Sequence, residues 1–250
     1  MLQAMLGDLR QPDRGADRLI VAGDLTSSAE LSQAQQVRQM LDGWGTIQQD
    51  YFVARGNHDR SMVGSTYAAC TPVPNNSPQH YDCWGDVFPY PLQTLQSYEV
   101  GGLRLIGLDT TMLDLAGGTM SAAQLGVLED ELRRDRDRPT LLFGHHPVTY
   151  ESAATTEAGP AFDIDRPTAI ALQRMYQRTP GVFCHHSGHT HRNKRTYLLD
   201  DSQSPIESVE FLEVGATKEY PGGYSPRSPL TCPVCSHCIK AGTCLRPADS

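Results

Sequence analysis

Four apolar runs in this chain each end in a glycine followed by oxygen or imidazole side chains. These endings are Gly23-Asp24, Gly56-Asn57-His58-Asp59, Gly144-His145-His146 and Gly188-His189-Thr190-His191. Each apolar run has the length and composition of a buried strand. Strands that alternate with helical segments are typical of layered α/β folds. The pattern therefore predicts an α/β scaffold that carries a cluster of polar side chains at its strand ends.

Apolar periodicity predicts the elements between these endings. Helices are expected over 2–9, 28–41, 121–134 and 168–178, and strands over 18–22, 51–54, 97–100, 103–108, 140–143, 182–185, 196–199 and 206–214. Ser28 and Ser121 are the predicted N-caps, and Gln124 stands at the capping-box position of the later helix. Residues 61–91 and 151–166 lack periodicity, and loops of this length are more often functional than structural.

Length and charge exclude several classes of function. A chain of 250 residues is long enough for one sizeable α/β domain. Its net charge of −8 favours neither nucleic acid nor an anionic membrane. No apolar run reaches the roughly 20 residues that span a bilayer, and residues 1–10 lack the features of a signal peptide. We therefore expect a cytoplasmic protein by default, or an exported one if the natural N-terminus lies upstream. The sequence gives no indication of the oligomeric state.

Two cysteines in the loop over 61–91 bear on the same question. A disulfide between Cys70 and Cys83 would imply an exported protein, because such bonds persist in oxidising compartments. Two free thiols in a loop are the alternative, and the sequence does not decide between them.

The residue types at the strand ends suit a divalent metal centre. A carboxylate such as Asp24 can bridge two cations, since each oxygen has free lone pairs. Imidazoles combined with oxygen donors suit manganese, iron or zinc. Two neighbouring cations can clamp a phosphate and lower the pKa of a bound water. His189 and His191 flank one residue, so on an extended segment both side chains would point to the same side.

In their order along residues 19–224, these segments resemble the motifs of the calcineurin-like metallophosphoesterases. The resemblance implies a four-layer sandwich of two mixed β-sheets with helices outside. It implies that Asp24 bridges two divalent ions, which are manganese, iron or zinc. Asn57, His145 and His189 would complete one metal site, and His191 would serve the other.

The resemblance also implies a reaction. His58 would be the catalytic histidine, and Asp59 would orient it by accepting its other N–H. The expected activity is hydrolysis of a small-molecule phosphomonoester or phosphodiester by a metal-bound hydroxide. Asp109 is a candidate for supporting a ligand histidine, with a turn residue as the alternative. Arg192 and Lys194 are candidates for phosphate contact, with solvated surface charge as the alternative.

The chain departs from the family's pattern near its start. The family normally opens with Asp-x-His, and no such segment precedes Asp24. The first metal site would then keep only Asp24 and His191. We expect that the chain begins inside the family's first helix and that its sheet lacks the first strand. The alternative function is therefore a catalytically impaired or inactive fragment that binds one metal or none.

The end of the chain departs as well. We expect a metallophosphoesterase domain over 1–224 and a disordered tail over 225–250. The tail contains Cys232, Cys235, Cys238 and Cys244. It is interpreted either as a metal-binding knuckle or as arbitrary sequence that follows a change of reading frame. A metal-sensing or partner-binding module that uses this tail is a third functional hypothesis.

Overall fold

Helices and strands alternate along most of the chain, as the periodicity predicts. The structure, a computed structural model, describes residues 2–12, 15–149, 152, 162–199, 205–216, 230–232, 235–240 and 244–245. The helices are α1 (Leu2–Asp8), α2 (Leu31–Asp42), α3 (Cys83–Val87), α4 (Ala122–Arg134) and α5 (Arg166–Gln177). The strands up to residue 216 are β1 (Leu19–Val21), β2 (Tyr51–Val53), β3 (Met62–Val63), β4 (His80–Tyr81), β5 (Leu95–Val100), β6 (Leu103–Leu108), β7 (Thr140–Phe143), β8 (Val182–Ser187), β9 (Lys194–Leu199) and β10 (Pro205–Glu213).

Two sheets carry the candidate ligand segments. The small sheet pairs β1 with β2 in parallel. The large sheet has the order β5-β6-β7-β8-β10-β9. Its four central strands run parallel, and β5 and β9 are antiparallel at its two edges. Since the carboxyl ends of parallel strands lie at one edge of a sheet, the residues that follow β6, β7 and β8 emerge on the same side.

Three apolar clusters define four layers. Alternate residues of a strand face opposite sides of its sheet. Ile20 and Phe52 therefore pack towards Leu141 of the large sheet, in the cluster between the two sheets. Their neighbours Leu19 and Tyr51 face α1 and α2 instead. The third cluster packs the outer face of the large sheet against α4 and α5. The predicted four-layer arrangement is confirmed.

The two predicted helix caps have different outcomes. Ser121 accepts a hydrogen bond from the backbone N–H of Gln124, and the Gln124 side chain completes the predicted capping box. The predicted Ser28 cap is wrong. Ala29 has a φ of 52°, so the chain turns left-handed there and the helix begins only at Leu31. The Ser28 hydroxyl instead donates to the Glu30 carboxylate at 3.2 Å.

The segment over 61–91 is more regular than its sequence indicates. It contains the β3–β4 hairpin and α3, which begins after the N-cap Asp82. The structure joins Cys70 and Cys83 in a disulfide, which selects the first of the two alternatives for these cysteines. The bond ties the loop to the first residue of α3.

Several predictions fall partly outside the described residues. These include most of the stretch over 151–166 and much of the tail. Within the tail, β11 (Leu230–Cys232), β12 (Cys235–Lys240) and β13 (Cys244–Leu245) form a small antiparallel sheet. The division at residue 224 and the loss of a first strand both stay predictions. None of the helices in the described part of the chain is long and apolar enough to cross a membrane.

Candidate metal centre

The ends of four strands converge on one cavity. Asp24 follows β1, and Asn57 and His58 lie in a short 3-10 helix (Asn57–Asp59) that follows β2. His145 follows β7, and the His189 segment follows β8. A cavity of about 410 Å³ is lined by candidate residues of all four segments. Those residues are Asp24, His58, His145, His189 and His191. The structure thus brings together the segments that the sequence singles out.

Four donor atoms meet at the floor of this cavity. The Nε2 atom of His145 lies 2.9 Å from Oδ1 of Asn57 and 3.0 Å from Nδ1 of His189. It also lies 3.3 Å from Oδ2 of Asp24. Nδ1 of His189 is 3.0 Å from the same Asn57 oxygen. Asn57, His145 and His189 are almost completely buried. Two imidazole nitrogens, an amide oxygen and a carboxylate oxygen therefore face one small volume.

Backbone carbonyls fix which imidazole nitrogens can bind a cation. Nδ1 of His145 donates to the Ala22 carbonyl at 2.7 Å. Nε2 of His189 donates to the Phe162 carbonyl at 2.6 Å, and the Phe162 ring stacks on His189 at 4.1 Å. Because each ring already donates from its outer nitrogen, the inner nitrogen presents a lone pair. This second contact is typical of metal-ligating histidines.

The electrostatics also favour a cation at this place. Burial alone would lower the pKa of His145, but the Asp24 carboxylate outweighs it and the pKa is raised. Burial alone would raise the pKa of Asp24, yet His145 holds it below its usual range. Burial, followed by repulsion from His145, lowers the pKa of His189 to about 3. Asp24 is thus ionised and His189 neutral, which are the forms that bind metal.

The His189–His191 segment reaches the cavity by a turn. The segment is not extended, since His189 has a φ of 70° and His191 a φ of 55°. β8 ends at Ser187, so these residues lie beyond the strand. Both histidines nevertheless line the cavity. Asp24, with a φ of 54°, shares the left-handed conformation.

His58 and Asp59 do not form the predicted pair. His58 is exposed, and its Nδ1 donates to the Ser27 carbonyl at 2.9 Å. Asp59 is fully buried and accepts from the backbone N–H groups of Leu25, Thr26 and Gly56 and from the Thr26 hydroxyl. Its carboxylate therefore joins the loop after β1 to the loop after β2. The orienting contact to His58 is made by a carbonyl instead.

The neighbouring candidates have structural partners. His146 packs against His145 and His189, but its Nδ1 lies 2.7 Å from the Thr110 hydroxyl and its Nε2 donates to the Ala116 carbonyl. Asp109 accepts from the backbone N–H of Gln93 at 2.7 Å and from Thr111. It therefore does not support a ligand histidine in the described contacts. Arg192 is exposed. Burial and the neighbouring Glu213 raise the pKa of Asp163 to about 6, and Lys194 and Arg192 offset only part of that rise.

Sequence reasoning missed one buried ion cluster beside the site. Arg55, the residue before Gly56, is 2% exposed and forms two hydrogen bonds to Asp82, at 2.5 and 3.0 Å. Its Nε lies 3.5 Å from Asp109, and its guanidinium stacks over Trp84 at 4.5 Å. We call these four residues the Arg55 cluster. A charged residue directly after an apolar run was the only signal for it in the sequence.

The residues present fit a divalent metal. Asp24, Asn57, His145 and His189 offer oxygen and nitrogen lone pairs within 3.3 Å of one central atom, His145 Nε2. Mixed imidazole and oxygen donors are the ligand set of manganese, iron and zinc sites. Nε2 of His145, Nδ1 of His189 and Oδ1 of Asn57 lie about 3 Å from one another.

Comparisons with known proteins agree with this chemistry. The family model for calcineurin-like phosphoesterases matches residues 1–193. A glycerophosphodiester phosphodiesterase of Enterobacter lignolyticus is 24% identical over 176 residues, which cover 70% of this chain and 56% of the relative. A probable cyclic nucleotide phosphodiesterase of Synechococcus is 27% identical over 164 residues, which cover 64% of this chain and 54% of the relative. The chain thus spans a little over half the length of these curated relatives.

Solved structures share the fold. A dimetal phosphatase from Danio rerio superimposes with a TM-score of 0.56 at 16% identity, over 88% of this chain and 78% of that one. A purple acid phosphatase from yellow lupin (Lupinus luteus) seeds superimposes with a TM-score of 0.62 at 19% identity, over 92% of this chain and 42% of that one. The family match, over most of the chain, agrees with the strand-end ligands. This chain belongs to the calcineurin-like phosphoesterase family.

Proposed function

We propose that this protein is a metal-dependent phosphoesterase that hydrolyses small phosphomonoesters or phosphodiesters at a binuclear site. The observation that carries the proposal is the convergence of Asp24, Asn57 and His189 on Nε2 of His145, with both imidazoles fixed by backbone carbonyls. The two curated relatives act, by their names, on phosphodiesters. We therefore put phosphodiesters first among the substrates.

Each residue has a defined task in this proposal. Asp24, Asn57, His145 and His189 would hold one divalent ion, and Asp24 and His191 would contribute to a second. When bound, such ions act as Lewis acids towards a phosphoryl oxygen and lower the pKa of water. Imidazole and amide ligands are neutral when they bind a metal, so the bound ions would keep enough positive charge to attract an anionic ester.

His58 is the proton-transfer residue of the proposal. Its Nδ1–H donates to the Ser27 carbonyl, which leaves Nε2 as the nitrogen that can exchange a proton. The ring is exposed and lines the cavity beside Asp24. From there it can donate to a phosphoryl oxygen or protonate the leaving oxygen. The carbonyl contact fixes the tautomer as Asp59 would have done.

One observation favours the alternative, an impaired fragment with a single metal. In the described part of the chain, one group of three histidine, cysteine or acidic residues has its ligand atoms within 4.8 Å of one another, namely His145, His146 and His189. This group overlaps the place of the first ion and includes neither Asp24 nor His191. For the second ion we can name only Asp24 and His191. Catalytic zinc usually has three protein ligands and water.

The first experiment is a metal count joined to a turnover assay. The full chain is purified without chelators, its metals are counted by mass spectrometry, and hydrolysis of a generic aryl phosphodiester is followed with added Mn²⁺. Two metals per chain with turnover support the binuclear enzyme, and one metal with no turnover supports the fragment. A His145→Ala variant is the matched control. Turnover that survives this substitution would refute the proposed site.

A further inference from the structure

We propose that Arg55 is a positioning residue for the candidate metal centre. In this inference, the buried Arg55 cluster holds the end of β2 so that Asn57 meets His145 and His189 at bonding distance. The inference rests on the proposed function, since it assigns Arg55 a task toward that same site. Arg55 itself touches neither substrate nor metal.

The guanidinium is fixed by groups from separate parts of the chain. Asp82, the N-cap of α3, receives two hydrogen bonds from it. The Tyr90 carbonyl accepts a third at 3.2 Å, from beyond the end of α3. Asp109, directly after β6, lies 3.5 Å from Nε. Arg55 follows β2 of the small sheet and Asp109 follows β6 of the large one, so the contact joins the two sheets beside the site.

The backbone that follows Arg55 has little freedom. Gly56 packs directly against Asp24, so that a β-carbon there would overlap the Asp24 carboxylate. The Gly56 N–H donates to Asp59 at 3.0 Å, and the His58 N–H donates to Asp24 at 2.9 Å. A shift of Arg55 is therefore passed on to Asn57, two residues later. Metal ligands tolerate errors of only about 0.2 Å.

The energetics of the cluster point the same way. It buries one cation and two anions, and apolar residues of similar volume are often as stable or more stable than such ion clusters. A planar guanidinium nevertheless fixes direction through its fork of donors, which an ammonium group does not. The cluster thus suits a place where the direction of the backbone matters more than stability.

The chain offers a matched control. Arg38 on α2 also pairs with a carboxylate, because its Nε donates to both oxygens of Asp42 at 2.9 Å. It too donates to a carbonyl, that of Val87 at 2.9 Å, and stacks over an aromatic ring, that of Phe88. Unlike Arg55, it does not precede a candidate ligand. Arg38→Lys therefore removes a guanidinium that also contacts a carboxylate, a carbonyl and a ring, at a more exposed place away from the metal centre.

The test measures Mn²⁺ affinity by titration calorimetry on the full chain, beside stability from urea unfolding. Arg55→Lys is expected to weaken Mn²⁺ binding roughly tenfold, the lower end of the effect of losing a direct outer contact to a metal ligand, because Arg55 acts on Asn57 only through the backbone. Arg38→Lys is expected to keep the parent affinity, although both changes lower the urea midpoint. Parent-like affinity in Arg55→Lys, or an equal loss in both variants, would overturn the inference.

Two further measurements cover the remaining outcomes. If Arg55→Lys does not fold, Asp82→Asn takes its place, because asparagine caps a helix as well as aspartate does. Weaker Mn²⁺ binding then supports the inference and unchanged binding overturns it. If the parent chain binds no Mn²⁺, the proposed function fails, and hydrogen exchange over residues 55–60 decides for Arg55. Faster exchange in Arg55→Lys but not in Arg38→Lys supports the inference, and equal exchange overturns it.

Discussion

Replacing Asp59 with asparagine separates the predicted role of this residue from the one that its contacts indicate. Each carboxylate oxygen accepts two hydrogen bonds: Oδ1 from the N–H and hydroxyl of Thr26, and Oδ2 from the N–H groups of Leu25 and Gly56. An amide keeps one acceptor oxygen and turns the other into a donor. With the amide nitrogen towards Leu25 and Gly56, two of the four bonds are lost; with it towards Thr26, the hydroxyl can accept in place of donating, and the bond from the Thr26 N–H is lost.

The magnitude follows from these bonds. A hydrogen bond to a charged group contributes about 1.5–3 kcal/mol, so the loss of one or two such bonds amounts to roughly 1.5–6 kcal/mol. Burial raises the pKa of Asp59, so removing its charge returns part of this free energy. We therefore expect Asp59→Asn to lower the free energy of unfolding by about 3 kcal/mol. Urea unfolding at neutral pH measures it directly.

Glu129→Gln is the control for Asp59→Asn. Glu129→Gln changes an exposed acid that pairs with Arg133 on one helix face, and it should alter stability by less than about 0.5 kcal/mol. If Asp59 mainly oriented His58, Asp59→Asn would keep its stability and lose turnover. A loss of stability below about 1 kcal/mol would therefore refute the role in joining the two loops.

Three further substitutions or conditions have defined outcomes. Gly56→Ala should abolish metal binding, because the added β-carbon overlaps the carboxylate of Asp24, and titration calorimetry with Mn²⁺ checks this. Gly126→Ala, on the open face of α4, should raise the free energy of unfolding by about 1 kcal/mol, which urea unfolding measures. Burial lowers the pKa values of His185 and His186 to about 3 and about 4, so the unfolded chain binds more protons below pH 6.5. Stability should be full above that pH and fall towards pH 4, by up to about 1.4 kcal/mol per pH unit for each histidine, and urea midpoints at pH 7, 6 and 5 would detect a flat profile. Replacing both disulfide cysteines by serine should remove about 3 kcal/mol of stability, and a parent-like thermal melt under non-reducing conditions would contradict this.

Local signals in the sequence predict local structure well. The capping box at Ser121 and Gln124 depends on residues three apart, and it forms as expected. The Ser28 cap fails because Ala29 adopts a left-handed conformation that no local propensity favours. The turn at His189 and His191 is likewise left-handed against local propensity, because it depends on packing against other strand ends.

The candidate site divides in a similar way. The residues near the metal centre follow a recognisable side-chain pattern at the strand ends, so their convergence could be predicted from the sequence. The groups that hold these side chains in place could not be predicted. Ala22, Phe162 and Ser27 act through carbonyl oxygens, which every residue possesses and no sequence pattern marks. Asp59 was misassigned because its partners in the loop after β1 are more than 30 residues distant in sequence.

The left-handed backbone at Asp24, His189 and His191 sets stability against ligand chemistry. Side chains other than glycine lose about 1–2 kcal/mol in this conformation. Glycine at any of the three positions would relieve that strain and remove a donor at the same time. Selection for stability alone would thus favour glycine at each of these positions. The three residues are therefore retained only where their ligand chemistry matters more than the stability that glycine would add. A screen of the metal-free protein for higher stability should enrich glycine at these positions.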